Sequence, residues 1–417
     1  VLNGFYRGLA GRVSGGDTTD LLAGLRPEDG SMPLPVLTID EAAFDRNADV
    51  MFGYAKALGV SLAPHAKTPM SPELSQRLID RGAWGLSVAN LQQASVLLDA
   101  GFQRLLIANQ IGGRAAGRHF GALLKRHPDA ELMFFVDSIA SLDAVDEAAA
   151  VAGWTLPVLV EVGRGRAGAR DLDAVSAIIA HAASLALVSL AGVATYEGAV
   201  AQADAAATRK AIADLDRLAL DAFAAVRAAA PDVPLILTAG GSSFFDLVLE
   251  DLLPALKADG NAEFVLRSGA IYFHDHGVYQ RALSALDMRF GFAPVTGLVA
   301  SEAFVPAVKV WAEVLSRPEP GLVICGLGMR DVASDQDLPL PLALYRDGAE
   351  IAERPGQVTK LNDQHAFLRV DPQSDIAVGD VIAFGISHPC TCFDRWRILF
   401  GRNPDGAIVA AYPTHFG

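Results

Sequence analysis

Between residues 61 and 267 the chain alternates short apolar runs with alanine-rich amphipathic stretches, a beat that strongly limits what it can fold into. The apolar runs fall at 61–66, 85–88, 104–108, 132–136, 157–162, 187–194, 235–238 and 264–267. Between them, apolar residues three and four apart predict helices over 73–81, 91–100, 117–126, 139–152, 173–183, 205–230 and 244–257. Unbroken apolar runs suit strands covered on both faces. Eight such strands with crossover helices predict an α/β fold, a (β/α)8 TIM-type barrel. The rival, an open doubly wound sheet, rarely reaches eight strands without a break or a second domain.

The flanks read differently. Residues 1–33 carry turn signals such as Pro27-Glu28-Asp29-Gly30 and form an irregular, partly helical arm. Residues 34–40 read as a strand, with Asp40 placed to cap a helix through about Leu58, so the barrel domain is expected over 34–289. After Arg289 helical periodicity fades. Short runs at 298–300, 307–310, 321–324, 367–370 and 381–384, separated by Gly and Pro, predict a C-terminal all-β domain over 290–417.

Composition narrows the partners. A formal charge of -14 argues against nucleic acid or an anionic membrane, since either needs a basic face. Cys325, Cys390 and Cys392 are the three cysteines, which is no disulfide framework and suits a reducing compartment. No apolar stretch approaches a membrane span, and the first residues lack the apolar core of a signal peptide. A soluble cytoplasmic protein is the expectation.

On such a barrel the chemistry sits at the C-terminal ends of the strands. Lys67 closes the first run, Leu62-Ala63-Pro64-His65-Ala66-Lys67-Thr68. An ammonium withdrawn from water either finds a carboxylate or loses its proton, and a neutral lysine attacks carbonyls. The bland alternative is an amine that escapes to the surface. Thr238-Ala239-Gly240-Gly241-Ser242-Ser243 follows the seventh run and Arg267-Ser268-Gly269-Ala270-Ile271-Tyr272 the eighth. These are the loops where barrels bind phosphate, and glycine lets backbone N–H groups approach an anion. Pyridoxal 5′-phosphate supplies both partners, an aldehyde for the lysine and a phosphate for the loops. Arg166, after the fifth run, and Tyr196, after the sixth, are rim candidates; each is equally at home as a solvated or packing residue.

A second constellation lies in the β domain, Ser387-His388-Pro389-Cys390-Thr391-Cys392-Phe393-Asp394. In an extended segment His388 and Cys390 would face the same way. Imidazole plus thiolate suits zinc, and two ligands leave positions for water or substrate. His365 is a candidate neighbour, and Cys325 reads as plain core.

Together these residues resemble the D-threonine aldolase and D-serine dehydratase (deaminase) family of fold-type III, alanine racemase-like pyridoxal-phosphate enzymes. The resemblance runs from about Leu34 to the C-terminus. Pro64-His65-Ala66-Lys67-Thr68 looks like the family's Schiff-base motif and Ser387–Asp394 like its metal motif. The resemblance implies that Lys67 holds the cofactor and then removes the substrate α-proton. It implies cofactor contacts from His65, Arg166, Tyr196, Thr238, Gly240, Gly241, Ser242, Gly269, Ala270 and Tyr272. It implies a divalent metal, zinc first, on His388 and Cys390, a D-amino acid substrate, and a homodimer with the active site at the subunit interface. The His-x-Cys pair looks like the dehydratase branch, so conversion of D-serine to pyruvate and ammonia is the expected reaction. Aldol cleavage of D-3-hydroxy amino acids is the alternative. A non-catalytic carrier of pyridoxal phosphate is the rival from another class, and the large second domain counts against it. The chain departs from the family pattern at Glu161, where aspartate is usual, at Ala199, where histidine is frequent, and at Cys392, where threonine is expected.

Overall fold

The computed structural model describes residues 3–15 and 18–416. Eight parallel strands form the predicted barrel: β1 (Ser61–Leu62), β2 (Leu86–Val88), β3 (Arg104–Ile107), β4 (Glu131–Val136), β5 (Leu156–Glu161), β6 (Val188–Ala194), β7 (Leu235–Ala239) and β8 (Ala262–Leu266). They pair in the order β1-β8-β7-β6-β5-β4-β3-β2. A parallel bridge between His65 and Ser87 brings β2 back to the segment after β1 and closes the ring. The first strand is shorter than expected because Pro64 has no N–H to donate to a ladder.

Alternation along the strands builds two cores. Ala63, Leu106, Phe135, Leu159, Ala191, Ala194, Ile236 and Val265 fill the barrel interior. Their neighbours Leu105, Ile107, Phe134, Val136, Val158 and Val160 point outward against the helices. Both faces are buried, which is why the runs read as continuously apolar.

Val36–Asp40 corrects the expected domain boundary. It lies in the C-terminal sheet, antiparallel to Val308–Glu319 and parallel to Ile398–Arg402. A five-residue strand with three apolar side chains carries no signal for which sheet it joins, whereas the helix that follows does. Asp40 accepts the N–H of Ala43 and caps helix Glu41–Leu58, and Gly59 ends that helix at φ 70°. The run at 298–300 is also not a strand. Asp287 accepts the N–H groups of Ala300 and Ser301 at 2.6 and 3.0 Å and starts the short helix Ala300–Ala303. After the barrel, the chain re-enters the antiparallel sheet at Val308.

The arm covers the far face of that sheet. Leu9, Leu22 and Met32 cluster with Val36, Trp311, Val381, Ala383 and Phe400. Arg7 pairs with Asp331 at 2.5 Å and stacks 4.9 Å from the Trp396 ring. Among the described residues no helix is long and apolar enough to cross a membrane.

One buried acid stands out on the barrel's outer layer. Asp216, on helix Ala205–Ala229, is 1% exposed, and its carboxyl lies within hydrogen-bonding reach of the carboxyl of Asp251. Burial first, then the charges of Asp251 and Glu197, push its pKa up to about 9. The folded chain therefore keeps a proton that the unfolded chain releases near pH 4. Stability from this group is lost as pH rises from about 4 toward 9. Asp216→Asn should raise unfolding stability by roughly 2 kcal/mol or more near neutral pH. Urea titrations should show that advantage shrinking toward pH 4.

Candidate active site

A cavity of about 530 Å³ opens at the C-terminal end of the barrel. It brings together His65, Lys67, Arg166, Tyr196, Gly240, Gly241, Ser242, Gly269 and Ala270 from the barrel and His388 and Cys390 from the β domain. The two constellations read separately in the sequence therefore share one space, within one chain.

Lys67 sits in the turn after β1, not within a strand, and is exposed along the cavity wall. The turn is tied down by Ala66 N–H to Ser87 O at 2.8 Å and Met70 N–H to Ala66 O at 3.0 Å. The amine reaches the mouth because the backbone aims it there. The sequence argument from a buried amine is corrected on that point: Pro64 ends the ladder before the lysine is enclosed.

The two glycine loops are shaped by close approach. At Gly240, with φ 86°, an added Cβ would lie 2.2 Å from Leu266 Cδ2. At Gly269 it would lie 2.5 Å from His65 O, so the loop after β8 presses directly on the turn carrying Lys67. The N–H groups of Gly240 and Gly241 donate to the carboxylate of Glu197 at 3.1 and 2.6 Å. Glu197 is fully buried and thus holds the loop from behind. Ser242 Oγ accepts the N–H of Ile271 at 3.2 Å, linking the loops to each other.

Thr238 and Tyr272 are not among the cavity-lining residues. Thr238 Oγ1 donates to Val265 O at 2.8 Å and accepts from Arg267 at 2.7 Å. Tyr272 turns outward toward helix Glu41–Leu58, its ring 6.3 Å from Phe52. In a turn, residue spacing alone does not say which side chain faces in.

Arg267, treated in the sequence only as the start of a loop, lines the cavity. Its guanidinium donates to Thr195 O at 2.6 Å and lies 5.2 Å from the Phe135 ring. Arg166 stacks 4.6 Å over Tyr196 and lies 3.8 Å from Glu161. Burial pushes the Glu161 carboxyl above its usual range, against the pull of Gln110, Arg267 and Arg166. His65 is held well below the usual imidazole value, by burial first and then by Lys67, Arg267 and Arg166. Its Nδ1 is buried without a partner among the described residues.

His388 and Cys390 meet by a different route from the one expected. Pro389 opens the short helix Pro389–Cys392, with His388 as the residue before it, so the segment is not extended. Thr68 Oγ1 lies 3.3 Å from Cys390 Sγ and joins the Lys67 turn to the β domain. Burial alone would raise the Cys390 thiol, but His388, Thr68 and Lys67 outweigh it and bring it below its ordinary value. Burial would lower His388, yet Cys390 and Asp335 raise it to about 9. Among the described residues no group of three His, Cys, Asp or Glu side chains is placed to hold a metal, so the pair stands as two donors. Cys392 is fully buried with its thiol against Asp331 O at 3.6 Å, and burial pushes it up to about 12. Cys325 is core as read, and His365 lies exposed on a hairpin away from the cavity. Tyr279 and Asn109 line the site and went unremarked in the sequence, where no motif marks them; Thr391, inside the Ser387–Asp394 motif, lines it too.

Residues 39–246 match the family described as "Alanine racemase, N-terminal domain", and residues 307–401 match "Putative serine dehydratase domain". D-threonine aldolase from Arthrobacter sp is 30% identical over 358 residues, 85% of each chain. Among solved structures, D-threonine aldolase from Filomicrobium marinum superposes with a TM-score of 0.73 at 24% identity, covering 92% of this chain and 96% of that one. D-threo-3-hydroxyaspartate dehydratase from Delftia sp. HT23 gives 0.71 at 23% identity, covering 92% and 97%. At those identities the structural likeness speaks for the fold, while the sequence match to the Arthrobacter protein speaks for kinship. The chain belongs to the D-threonine aldolase and D-serine dehydratase family, lyases built on the alanine racemase-like fold.

Proposed function

We propose that this lyase is a pyridoxal-phosphate- and metal-dependent dehydratase of D-3-hydroxy amino acids, with D-serine as substrate. The observation that carries the reading is the meeting of Lys67 with the His388–Cys390 pair in one cavity.

The residues present fit both groups. Lys67 faces a cavity whose other walls carry Arg166, Arg267 and the unpartnered Nδ1 of His65, a setting for an anionic aldehyde. The imidazole and lowered thiol of His388 and Cys390 fit an ion that takes its remaining ligands from substrate and solvent. Pyridoxal phosphate, when bound, supplies the electron sink that lets the substrate Cα give up its proton. A divalent ion, zinc the first candidate, supplies Lewis acidity toward the β-hydroxyl.

The chain's own groups do the rest. Lys67 Nζ would hold the cofactor aldehyde, and as a free amine it is the base placed to take the substrate α-proton. Arg166 and Arg267 offer positive charge to the anionic groups of cofactor and substrate. Ala270, Gly269 and Ser242 shape the loop side of the pocket. Loss of the β-hydroxyl leaves an enamine that water converts to pyruvate and ammonia. The dehydratase branch is supported by solved variants of D-threo-3-hydroxyaspartate dehydratase, which replace a histidine and a cysteine two positions apart, the cysteine variant in a metal-free form. That spacing is the spacing of His388 and Cys390.

Aldol cleavage is the second reading, favoured by the 30% identity to D-threonine aldolase. There a base removes the β-hydroxyl proton and the Cα–Cβ bond breaks to glycine and an aldehyde. The proposal also includes a homodimer, for which exposed Met288, Phe290, Leu298 and Val299 offer apolar surface.

Purified enzyme given D-serine should release pyruvate, and given D-threonine should form little glycine and acetaldehyde. The reverse pattern selects the aldolase, and neither product with metal present overturns the lyase chemistry proposed for this site. Lys67→Ala should lose the yellow cofactor absorbance and lower turnover by roughly 10³-fold. Chelation should abolish activity and added zinc should restore it. Cys390→Ala should stay inactive under the same zinc.

A further inference from the structure

The imidazole of His388 is clamped through its Nδ1. Its Nδ1 lies 2.8 Å from Oδ2 of Asp335. The other carboxylate oxygen, Oδ1, accepts from Thr391 Oγ1 at 2.8 Å, and that hydroxyl lies 3.1 Å from the same Nδ1. An ionised carboxylate only accepts hydrogen bonds, so a hydrogen sits on Nδ1, which leaves Nε2 as the nitrogen available to a metal. The segment carrying Asp335 has no regular secondary structure but is rooted close by. Asp331 Oδ2 accepts the N–H of Gly328 at 2.8 Å, and Asp331 O accepts Nε1–H of buried Trp396 at 2.9 Å. Thr391 follows Cys390 in the same helical turn, so one residue orients the carboxylate relative to both donors.

We propose that Asp335, held by Thr391, is a positioning residue for the metal centre: it fixes the tautomer and rotation of His388 without touching metal or substrate. The inference rests on the reading of His388 and Cys390 as the metal pair. A ligand imidazole whose second nitrogen bonds a carboxylate is a stronger and better oriented donor. Losing that partner leaves both ring nitrogens free to exchange roles and the ring free to turn.

The test is calorimetric titration of zinc into the metal-free, pyridoxal-phosphate-loaded protein. Asp335→Ala should weaken zinc binding by roughly 10- to 100-fold. Thr391→Val should weaken it less, and Asp335→Asn, which keeps an acceptor, should recover part of the loss. Cofactor absorbance and melting temperature of the metal-free variants should match wild type. Zinc affinity in Asp335→Ala equal to wild type overturns the positioning role, as does a loss accompanied by collapse of cofactor absorbance and melting temperature. Wild-type protein that takes up no zinc, or takes it up equally well as His388→Ala, overturns the metal-pair reading and this inference with it.

Discussion

The hydrogen bonds of strand Val36–Asp40 hold the two domains in register, and the cavity exists because of that register. The strand lies within the C-terminal sheet, yet its last residue caps the first long helix of the barrel domain. Asp40 N–H donates to Ala307 O at 2.7 Å while its carboxylate accepts from Ala43 at 2.9 Å. The chain thus starts in the β domain, leaves it for eight strands, and returns. Leaving and returning points lie side by side, so the β domain has little freedom to swing away from the barrel mouth. The Thr68–Cys390 contact is the consequence at the far end, where the Lys67 turn and the metal-type pair touch.

Within the cavity, local charge runs against the whole. The chain carries -14, yet Lys67, Arg166 and Arg267 line the mouth. Their carboxylate partners sit beneath: Glu161 is nearly buried beside Arg166, and Glu197 is fully buried behind the glycine loop. The result is a small basic pocket inside an acidic protein, suited to small anions and not to polyanions. Burial first, and then the same cations, keep His65 neutral, so its unpartnered nitrogen remains a hydrogen-bonding group and adds no charge.

Much of this was legible in the residues. Period and apolar run length announced the barrel, because both faces of each strand had to be buried. Lys67, the glycine loops and His388–Cys390 stood out because their chemistry is rare in those positions. Arg267, Glu197 and Asp335 did not stand out, since an arginine, a glutamate and an aspartate in loops are ordinary. What sets them apart is burial in one case, two backbone N–H groups in the second, and an imidazole in the third.

The sequence by itself determined the barrel, the C-terminal β domain, the lysine just after the first strand and the two-donor motif. Each of these depends on local periodicity or on a residue's intrinsic chemistry. Only the tertiary structure decided that Val36–Asp40 belongs to the second sheet, that Thr238 and Tyr272 turn away from the cavity, and that Pro389 starts a helical turn between histidine and cysteine. Those outcomes depend on which distant backbone and side chains complete each hydrogen bond and fill each gap. Short stretches of sequence do not encode that choice.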